Sequence, residues 1–279
     1  MHIYRLEKTV HIAGHDYFGR TASITFMPID APGWYWKMPD GSAIEIEPSM
    51  LRHNSRRLTL IHDNTKMEIF EHVGALRFMG LSGVLIESSP WPPYFGRTHE
   101  LWQALKPQCK ETDEPIRWVT PRAHTFWSYP QTHRNLKCRF TEMWPNKTKR
   151  LKITIEIDYA DLGKDEKVYD IPNKELLEQI LQAHSQGWPS WLHGPSTLLE
   201  WFPFRPRHEC ITWPQEHPQK KTLRLFAEHR LLDLLGALSV LLPADTMLSG
   251  NIRSVCSGHE ADYHVVEQIR EKGGLVPIP

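Results

Sequence analysis

The stretch FAEHRLLDLLGAL, residues 226–238, places a histidine and an aspartate inside a segment that is otherwise apolar and reads as a helix. A second stretch, EHVGALRFMGL at residues 71–81, begins with the same Glu-His pair. A strand, a loop and another helix are predicted after each of them, so the order of elements repeats at about half the chain length. The repeat decides the fold class, because it predicts two related layers of helices and strands.

Short apolar or alternating segments, separated by Gly, Pro, Asp and Asn turns, open both halves and are typical of strands. Helices are predicted over residues 67–81 and 222–238. We therefore expect an α+β fold with two related two-layer α/β sandwich domains, residues 1–112 and 113–279. The domains would face each other, with a metal site in the cleft between them. The second domain carries an insert rich in Trp, Phe and Pro at about residues 187–215.

Composition argues against several classes of partner and compartment. The 279 residues carry 33 basic and 33 acidic side chains, and a balanced charge without a basic stripe gives no reason to expect nucleic acid. The sequence has no apolar run of about 18 residues, so no transmembrane segment is expected. The first ten residues lack the apolar core of a signal peptide, which predicts a cytoplasmic protein. The four scattered cysteines predict neither a disulfide framework nor a cysteine-based zinc site.

Helical geometry places His229 and Asp233 one turn apart on the same face, which is the spacing that two ligands of one metal ion need. The same spacing also allows a plainer role, in which the aspartate holds the histidine in one tautomer. His72 lies at the matching place in the first half and is the candidate for a third ligand. Three protein ligands would leave a position open for water, as a catalytic zinc site requires.

Two further residues suit hydrolytic chemistry. Glu71, beside His72, can take a proton from an attacking water. His259 follows a Ser-Gly turn in VCSGHEAD, residues 255–262. It can serve as a second proton carrier, which an amide hydrolase needs because an amine leaves poorly unless it is protonated. A histidine in a solvent-exposed loop would look the same in the sequence.

An ordered set of motifs resembles a known family over nearly the whole length of the chain. After the opening strands and a Gly-rich turn, the matching segments are EHVGAL (71–76), IESSPWPPYFG (86–96), ITIEIDY (153–159), EHRLLD (228–233) and SGH (257–259). Together they are similar to the zinc-dependent UDP-3-O-acyl-N-acetylglucosamine deacetylases of bacterial lipid A synthesis. The resemblance implies hydrolytic removal of an acetyl group from an amino sugar.

The resemblance also implies roles for individual residues. Zinc would be held by His72, His229 and Asp233, with Fe²⁺ as the alternative metal. Glu71 would be the general base that takes the proton of the attacking water, and His259 would be the general acid that protonates the departing amine. Helical spacing and proton-transfer chemistry select the same five residues.

In this family a threonine in an Arg-Ala-x-Thr-Phe signature helps to stabilise the oxyanion. RAHTF (122–126) copies the signature, but the order of elements assigns its role to QAHSQGW (182–188). Ser185 would then supply the hydroxyl. Gln186 and Trp188 replace aromatic residues that lie near the sugar and the acyl chain, so we assign them to substrate binding.

Other departures from the family bear on the substrate. Arg230 stands in place of a lysine that contacts substrate phosphate, and it keeps the positive charge. The carboxylate that orients the catalytic histidine falls on Ala237, and Phe95 stands in place of an aspartate. The insert 187–215 occupies the position of a passage for a fatty acyl chain, which its aromatic side chains would either wall or fill.

Three functions remain open at this stage. The first is the lipid A pathway deacetylase, which acts on an acylated amino sugar or nucleotide sugar. The second is a related N-deacylase with a different substrate, favoured by Phe95 and Ala237. The third is a zinc-containing binding or regulatory protein without turnover, against which the intact Glu71 and His259 argue. A transient contact with a membrane surface, the native metal and the oligomeric state are also left open.

Overall fold

A computed structural model describes residues 2–16, 19–54, 57–93, 98–129, 139–159, 163–171, 173–183, 186–189, 211–213 and 219–279. These residues form a mixed structure of helices and several sheets. The α+β class predicted from the sequence is consistent with this structure. Among the helices so described, none is both long enough and apolar enough to cross a membrane.

The first half of the chain begins with three strands of increasing length and ends with a short one. Its strands are β1 (Ile3–Leu6), β2 (Val10–His15), β3 (Thr21–Pro28), β4 (Trp34–Lys37), β5 (Ala43–Glu45), β6 (Leu51–Asn54), β7 (Arg57–His62), β8 (Thr65–Met67), β9 (Leu81–Ser82), β10 (Val84–Ser88) and β11 (Cys109–Thr112). Its helices are α1 (Phe70–Gly74) and α2 (His99–Leu105), with 3-10 helices at Pro48–Met50, Ala75–Met79 and Lys106–Gln108.

The second half has longer strands and longer helices. Its strands are β12 (Arg117–Pro121), β13 (Thr125–Ser128), β14 (Phe140–Trp144), β15 (Leu151–Tyr159), β16 (Gly163–Ile171), β17 (Gln186–Pro189), β18 (Ile211–Trp213), β19 (Thr246–Leu248), β20 (Gly250–Val255) and β21 (Leu275–Pro277). Its helices are α3 (Lys174–Ile180), α4 (Gln219–Ser239) and α5 (His259–Glu271). The parallel pair β17 and β18 lies in the aromatic insert, most of which is outside the described residues.

The larger sheets of the two halves share one strand order. They run β2-β3-β10-β4-β5 and β13-β14-β20-β15-β16. In both sheets the strand that comes last in the sequence lies in the middle, antiparallel to one neighbour and parallel to the other. The repeat that was predicted from the two Glu-His segments is therefore also seen in the sheets, which have the same strand order in both halves. The division into domains at residue 112 stays a prediction.

A smaller sheet in each half repeats in the same way. β1 lies between β9, which runs parallel to it, and β11, which runs antiparallel. β12 lies in the same manner between β19 and β21. The buried hydrophobic side chains of both halves form one connected cluster, and Trp34, Trp36 and Trp102 are among its fully buried members. A close-packed interior of this kind holds the helices in fixed relative positions.

Helices α1 and α4 approach each other at glycines. A Cβ atom at Gly236 would lie 2.5 Å from the Cα atom and 2.6 Å from the carbonyl carbon of Glu71. A Cβ atom at Gly74 would lie 2.5 Å from Oγ of Ser239. Real side chains do not tolerate such separations, so this approach depends on glycine at both positions. The contact brings the two Glu-His segments of the sequence together.

The helix predicted over residues 67–81 has different bounds in the structure. Strand β8 extends to Met67, and α1 begins after Ile69, whose φ of 50° lies in the left-handed region that β-branched residues rarely adopt. The chain then tightens into the 3-10 helix Ala75–Met79. Gly80 ends this segment, because its φ of 86° suits glycine and does not continue a helix.

Candidate metal centre

The three predicted ligands come together between α1 and α4. One ligand atom from each of His72, His229 and Asp233 lies within 4.8 Å of the others, and all three residues are buried. The ring centroids of the two histidines are 5.6 Å apart, and His229 Nε2 lies 3.6 Å from Asp233 Oδ1. Two imidazoles and one carboxylate are a ligand set that zinc accepts. The cluster draws one ligand from the first half of the chain and two from the second.

His72 is oriented by a residue that the sequence did not single out. Oγ1 of Thr98 lies 3.1 Å from Nδ1 of the imidazole, and Thr98 is fully buried. Engagement of Nδ1 leaves Nε2 for a metal ion, as the outer partners of metal-binding histidines do. Burial, and then the neighbouring His229, lower the pKa of His72 to about 4. The ring is therefore neutral at neutral pH, which is the form that binds a metal.

Asp233 has a buried acceptor atom without a hydrogen-bond donor among the described residues. Its Oδ1 atom is buried and receives no hydrogen bond from the residues that the structure describes. Its Oδ2 atom lies 3.8 Å from His259 Nε2 and 3.9 Å from Arg230 Nη1, both beyond hydrogen-bonding distance. A buried carboxylate oxygen without a donor costs free energy, which a bound cation would offset. The residues of this cluster therefore fit a divalent metal ion.

Glu71 lies directly beside the three ligands. Its Oε2 atom accepts a hydrogen bond of 2.9 Å from the backbone N–H of Leu58. Glu71, Asp233 and His259 form a second group whose ligand atoms lie within 4.8 Å of one another. Burial, and then the charge of Asp233, raise the pKa of Glu71 well above its ordinary value. A carboxyl group in this setting is suited to accepting a proton.

His259 is the first residue of α5, and most of its side chain is buried. Its Nδ1 atom has no hydrogen-bond partner among the described residues. Burial, opposed by the charge of Asp233, lowers the pKa of His259 to about 4. The imidazole is neutral at neutral pH, so it must first receive any proton that it donates. The turn before it is strained at Cys256, which has a φ of 45°.

Arg230 lies in the wall of the cluster and forms a buried ion pair with Asp262. It also donates from Nη2 to Oγ of Ser257 over 3.2 Å. Burial outweighs the guanidinium and raises the pKa of Asp262 to about 6. A contact of Arg230 with Ser257 or Asp262 was not predicted, because only the fold brings these residues together. The contact of Arg230 with a substrate phosphate stays a prediction.

The remaining predicted site residues lie in or near the aromatic insert. Ser185 lies outside the described residues. The backbone of Gln186 and Trp188 belongs to β17, where Gln186 pairs with Ile211 of β18. Their roles in oxyanion stabilisation and substrate binding stay predictions.

The chain matches no protein-family model and no curated protein. The function is therefore inferred from the chemistry of the residues gathered at the interface of α1 and α4.

Proposed function

We propose that the protein is a metal-dependent hydrolase of amides. Within that class it is an N-deacylase that removes an acetyl group from an amino sugar, with a UDP-3-O-acyl-N-acetylglucosamine-type substrate as the first candidate. The observation that carries the proposal is a cluster of three imidazoles and two carboxylates, all buried except the partly exposed His259, to which both halves of the chain contribute. In this proposal the two halves are related domains that face each other across the metal site.

The chain's own residues divide into a metal-holding set and a proton-transfer set. His72, His229 and Asp233 would hold zinc, or Fe²⁺ as the alternative. When bound, such an ion supplies Lewis acidity, which activates water and polarises a carbonyl group. Glu71 and His259 lie at the edge of this set and carry ionisable groups whose pKa values are shifted strongly by burial. Such pairs are typical of acid–base chemistry.

Glu71 is placed to accept the proton of the attacking water. The backbone N–H of Leu58 fixes its carboxyl group, and the raised pKa of Glu71 favours retention of the proton. The proton must then reach the departing nitrogen, because an amine is a poor leaving group until it is protonated. His259 lies within reach of Glu71 through one water molecule and would deliver the proton. Ser185 would add a hydroxyl donor to the oxyanion.

The test is acetate release from UDP-3-O-acyl-N-acetylglucosamine by the zinc-loaded protein and by Glu71→Gln. We expect the variant to keep its zinc and to lose turnover by about 10²-fold or more, because the proton acceptor is removed. Loss of zinc from the folded variant would contradict the role of Glu71 as a base that does not bind the metal. Turnover by the variant at the wild-type rate would contradict the mechanism.

Glu68→Gln is the matched control. Glu68 is also buried and lies three residues before Glu71, but it pairs with Arg57 and Lys66 and accepts a hydrogen bond from Thr59. Its role is therefore structural. We expect folded Glu68→Gln to retain turnover, so that loss in both variants would indicate a general effect of removing a buried charge.

A second candidate substrate is favoured by the ion pair of Arg230. Its guanidinium is engaged by Asp262 inside the protein, whereas binding of a diphosphate would require it to turn toward the substrate. The alternative activity is removal of an acyl group from an N-acyl amine that carries no nucleotide. Hydrolysis of simple N-acetyl amino sugars, with no release from the UDP substrate, would support this alternative. Bound zinc with no turnover on either substrate would instead support a binding or regulatory protein.

A further inference from the structure

A second group of potential metal ligands lies apart from the buried cluster. His53 on β6 and Glu260 and His264 on α5 place one ligand atom each within 4.8 Å of the others, and all three residues are partly exposed. None of them belongs to the proposed hydrolytic site. Two histidines and one glutamate form a ligand set that zinc uses in proteins.

The backbone positions of the three residues suit a shared ion. Glu260 and His264 are four residues apart on one helix, so their side chains project from the same face. The ring centroids of His53 and His264 are 5.9 Å apart. Around an ion with bond lengths of about 2.1 Å, tetrahedral ligand atoms lie roughly 3.4 Å from one another. Small rotations of the partly exposed His53 and Glu260 side chains would bring the observed group to that separation.

The surroundings of the group favour a cation. Nδ1 of His53 is shielded from solvent and has no hydrogen-bond partner in the part of the chain that the structure describes. Glu260, Glu267 and Glu271 surround His264 with negative charge, each acting to raise its pKa. Burial and the facing His53 nevertheless give a net lowering of the pKa of His264. The carboxylates around His264 therefore favour a bound cation at this group.

Aromatic packing already holds one ligand in place. Trp127 stacks on the ring of His264, with the centroids 4.8 Å apart and the ring planes inclined by 15°. Stacking fixes the plane of the imidazole and leaves its nitrogen atoms at the edge, where they can bind an ion. Less side-chain freedom is therefore lost when a metal binds.

We propose that His53, Glu260 and His264 form a second binding site for a divalent cation of the zinc class. The site joins strand β6 in the first half of the chain to helix α5 in the second. It is a structural clip, because its ligands connect two separate elements that already contact each other. Its partial exposure leaves the remaining coordination positions to water. The inference is independent of the proposed hydrolytic function.

The test is the number of zinc ions bound per chain, measured by elemental mass spectrometry after the metal-stripped protein is reloaded and freed of unbound metal. We expect two ions in the wild type. His264→Ala should bind one, and so should Glu260→Gln, which preserves the size of the side chain. If His264→Ala does not fold, as judged by circular dichroism, Glu260→Gln gives the answer.

His124→Ala is the matched control for a histidine stacked on a tryptophan. The ring of His124 stacks on Trp144, with the centroids 5.2 Å apart, and the residue belongs to neither cluster. The His124→Ala variant should therefore bind two zinc ions, as the wild type should. If His264→Ala and Glu260→Gln bind as much zinc as the wild type, the proposed clip is overturned.

A variant of the buried cluster separates this inference from the proposed function. His229→Ala should lose one ion, and the double variant His229→Ala with His264→Ala should bind none. Unchanged binding by His229→Ala, together with loss in His264→Ala, would reject the buried metal centre and keep the clip. The reverse pattern would keep the buried centre and reject the clip.

Discussion

Thr98 is not a candidate metal ligand, but it determines the orientation of His72, which is one. Its hydroxyl engages Nδ1 of His72 in a fully buried position. Without that contact the imidazole could rotate or adopt the other tautomer. In the proposed metal centre, the affinity for the ion would therefore depend on a side chain outside the ligand set.

Thr98→Val should weaken zinc binding by about 10–100-fold, because valine has nearly the same shape but no hydroxyl. The measurement is competition for zinc with a chromophoric chelator. Thr98→Ser keeps the hydroxyl and should bind zinc nearly as tightly as the wild type. Equal affinities for the valine variant and the wild type would show that Thr98 does not orient His72.

Among individual residues, those of the candidate site that lie at a regular spacing could be predicted from the sequence. His229 and Asp233 are one helical turn apart, and His72 occupies the matching position of a repeated segment, so the cluster could be predicted. Thr98 and Asp262 could not be predicted, because each reaches its partner across a long stretch of chain. No local periodicity marks such contacts.

The contact between α1 and α4 determines where the elements place these residues. It occurs at Gly74 and Gly236, where the backbones of the helices come close enough to exclude any larger side chain. Because Glu71 and His72 belong to α1 and His229 and Asp233 to α4, the spacing of the helices is also the spacing of the cluster.

Gly236→Ala should destabilise the protein by roughly 2–4 kcal/mol and weaken zinc binding, because the new methyl group would force α1 and α4 apart. In an ordinary helix the same change would stabilise by about 1 kcal/mol, so the sign itself is informative. The measurements are urea unfolding and zinc titration. Gly14→Ala is the control, since among the described residues its Cβ atom would meet a single side-chain atom, Cβ of Pro93, at 3.3 Å. A stabilised, zinc-binding Gly236→Ala would contradict the observed packing.

Some helices and strands could be predicted from their own sequences and others could not. Helix α4 covers the predicted range 222–238, with a few residues added at its start and one at its end. Its long apolar run strongly favours a buried helix, so it could be predicted. Strand β16 was not expected. Its sequence, GKDEKVYDI, is mostly charged, and it lies at the edge of its sheet paired along its length with β15. Such a strand forms through its partner rather than through an apolar pattern of its own.

The two halves of the molecule are also joined through Arg77. This buried first-half residue donates to the backbone oxygens of Ser239 and Leu242, at the carboxyl end of α4. A positive charge at this end of a helix satisfies free carbonyl groups and opposes the negative end of the helix dipole. The orientation of α4 relative to the first half therefore depends partly on one side chain.

Arg77→Met should lower the free energy of unfolding by about 2–4 kcal/mol, because two carbonyl oxygens would lose the guanidinium as a donor while the volume is roughly kept. Urea denaturation is the measurement. Arg224→Met is the control, since Arg224 is a half-exposed residue of α4 that pairs with Glu228. It should cost less than about 1 kcal/mol. Equal effects of the two substitutions would mean that Arg77 does not join the halves.

The strand order also determines when the protein can fold during its synthesis. In each large sheet the central strand leaves the ribosome last, after the two hairpins that flank it. Until β20 arrives, the hairpins β13-β14 and β15-β16 have no strand between them, and their inner edges are open to wrong partners. The residues that immediately follow β20 carry His259. The second sheet and the His259 side of the candidate centre are therefore completed together, after the other four strands of that sheet have been made.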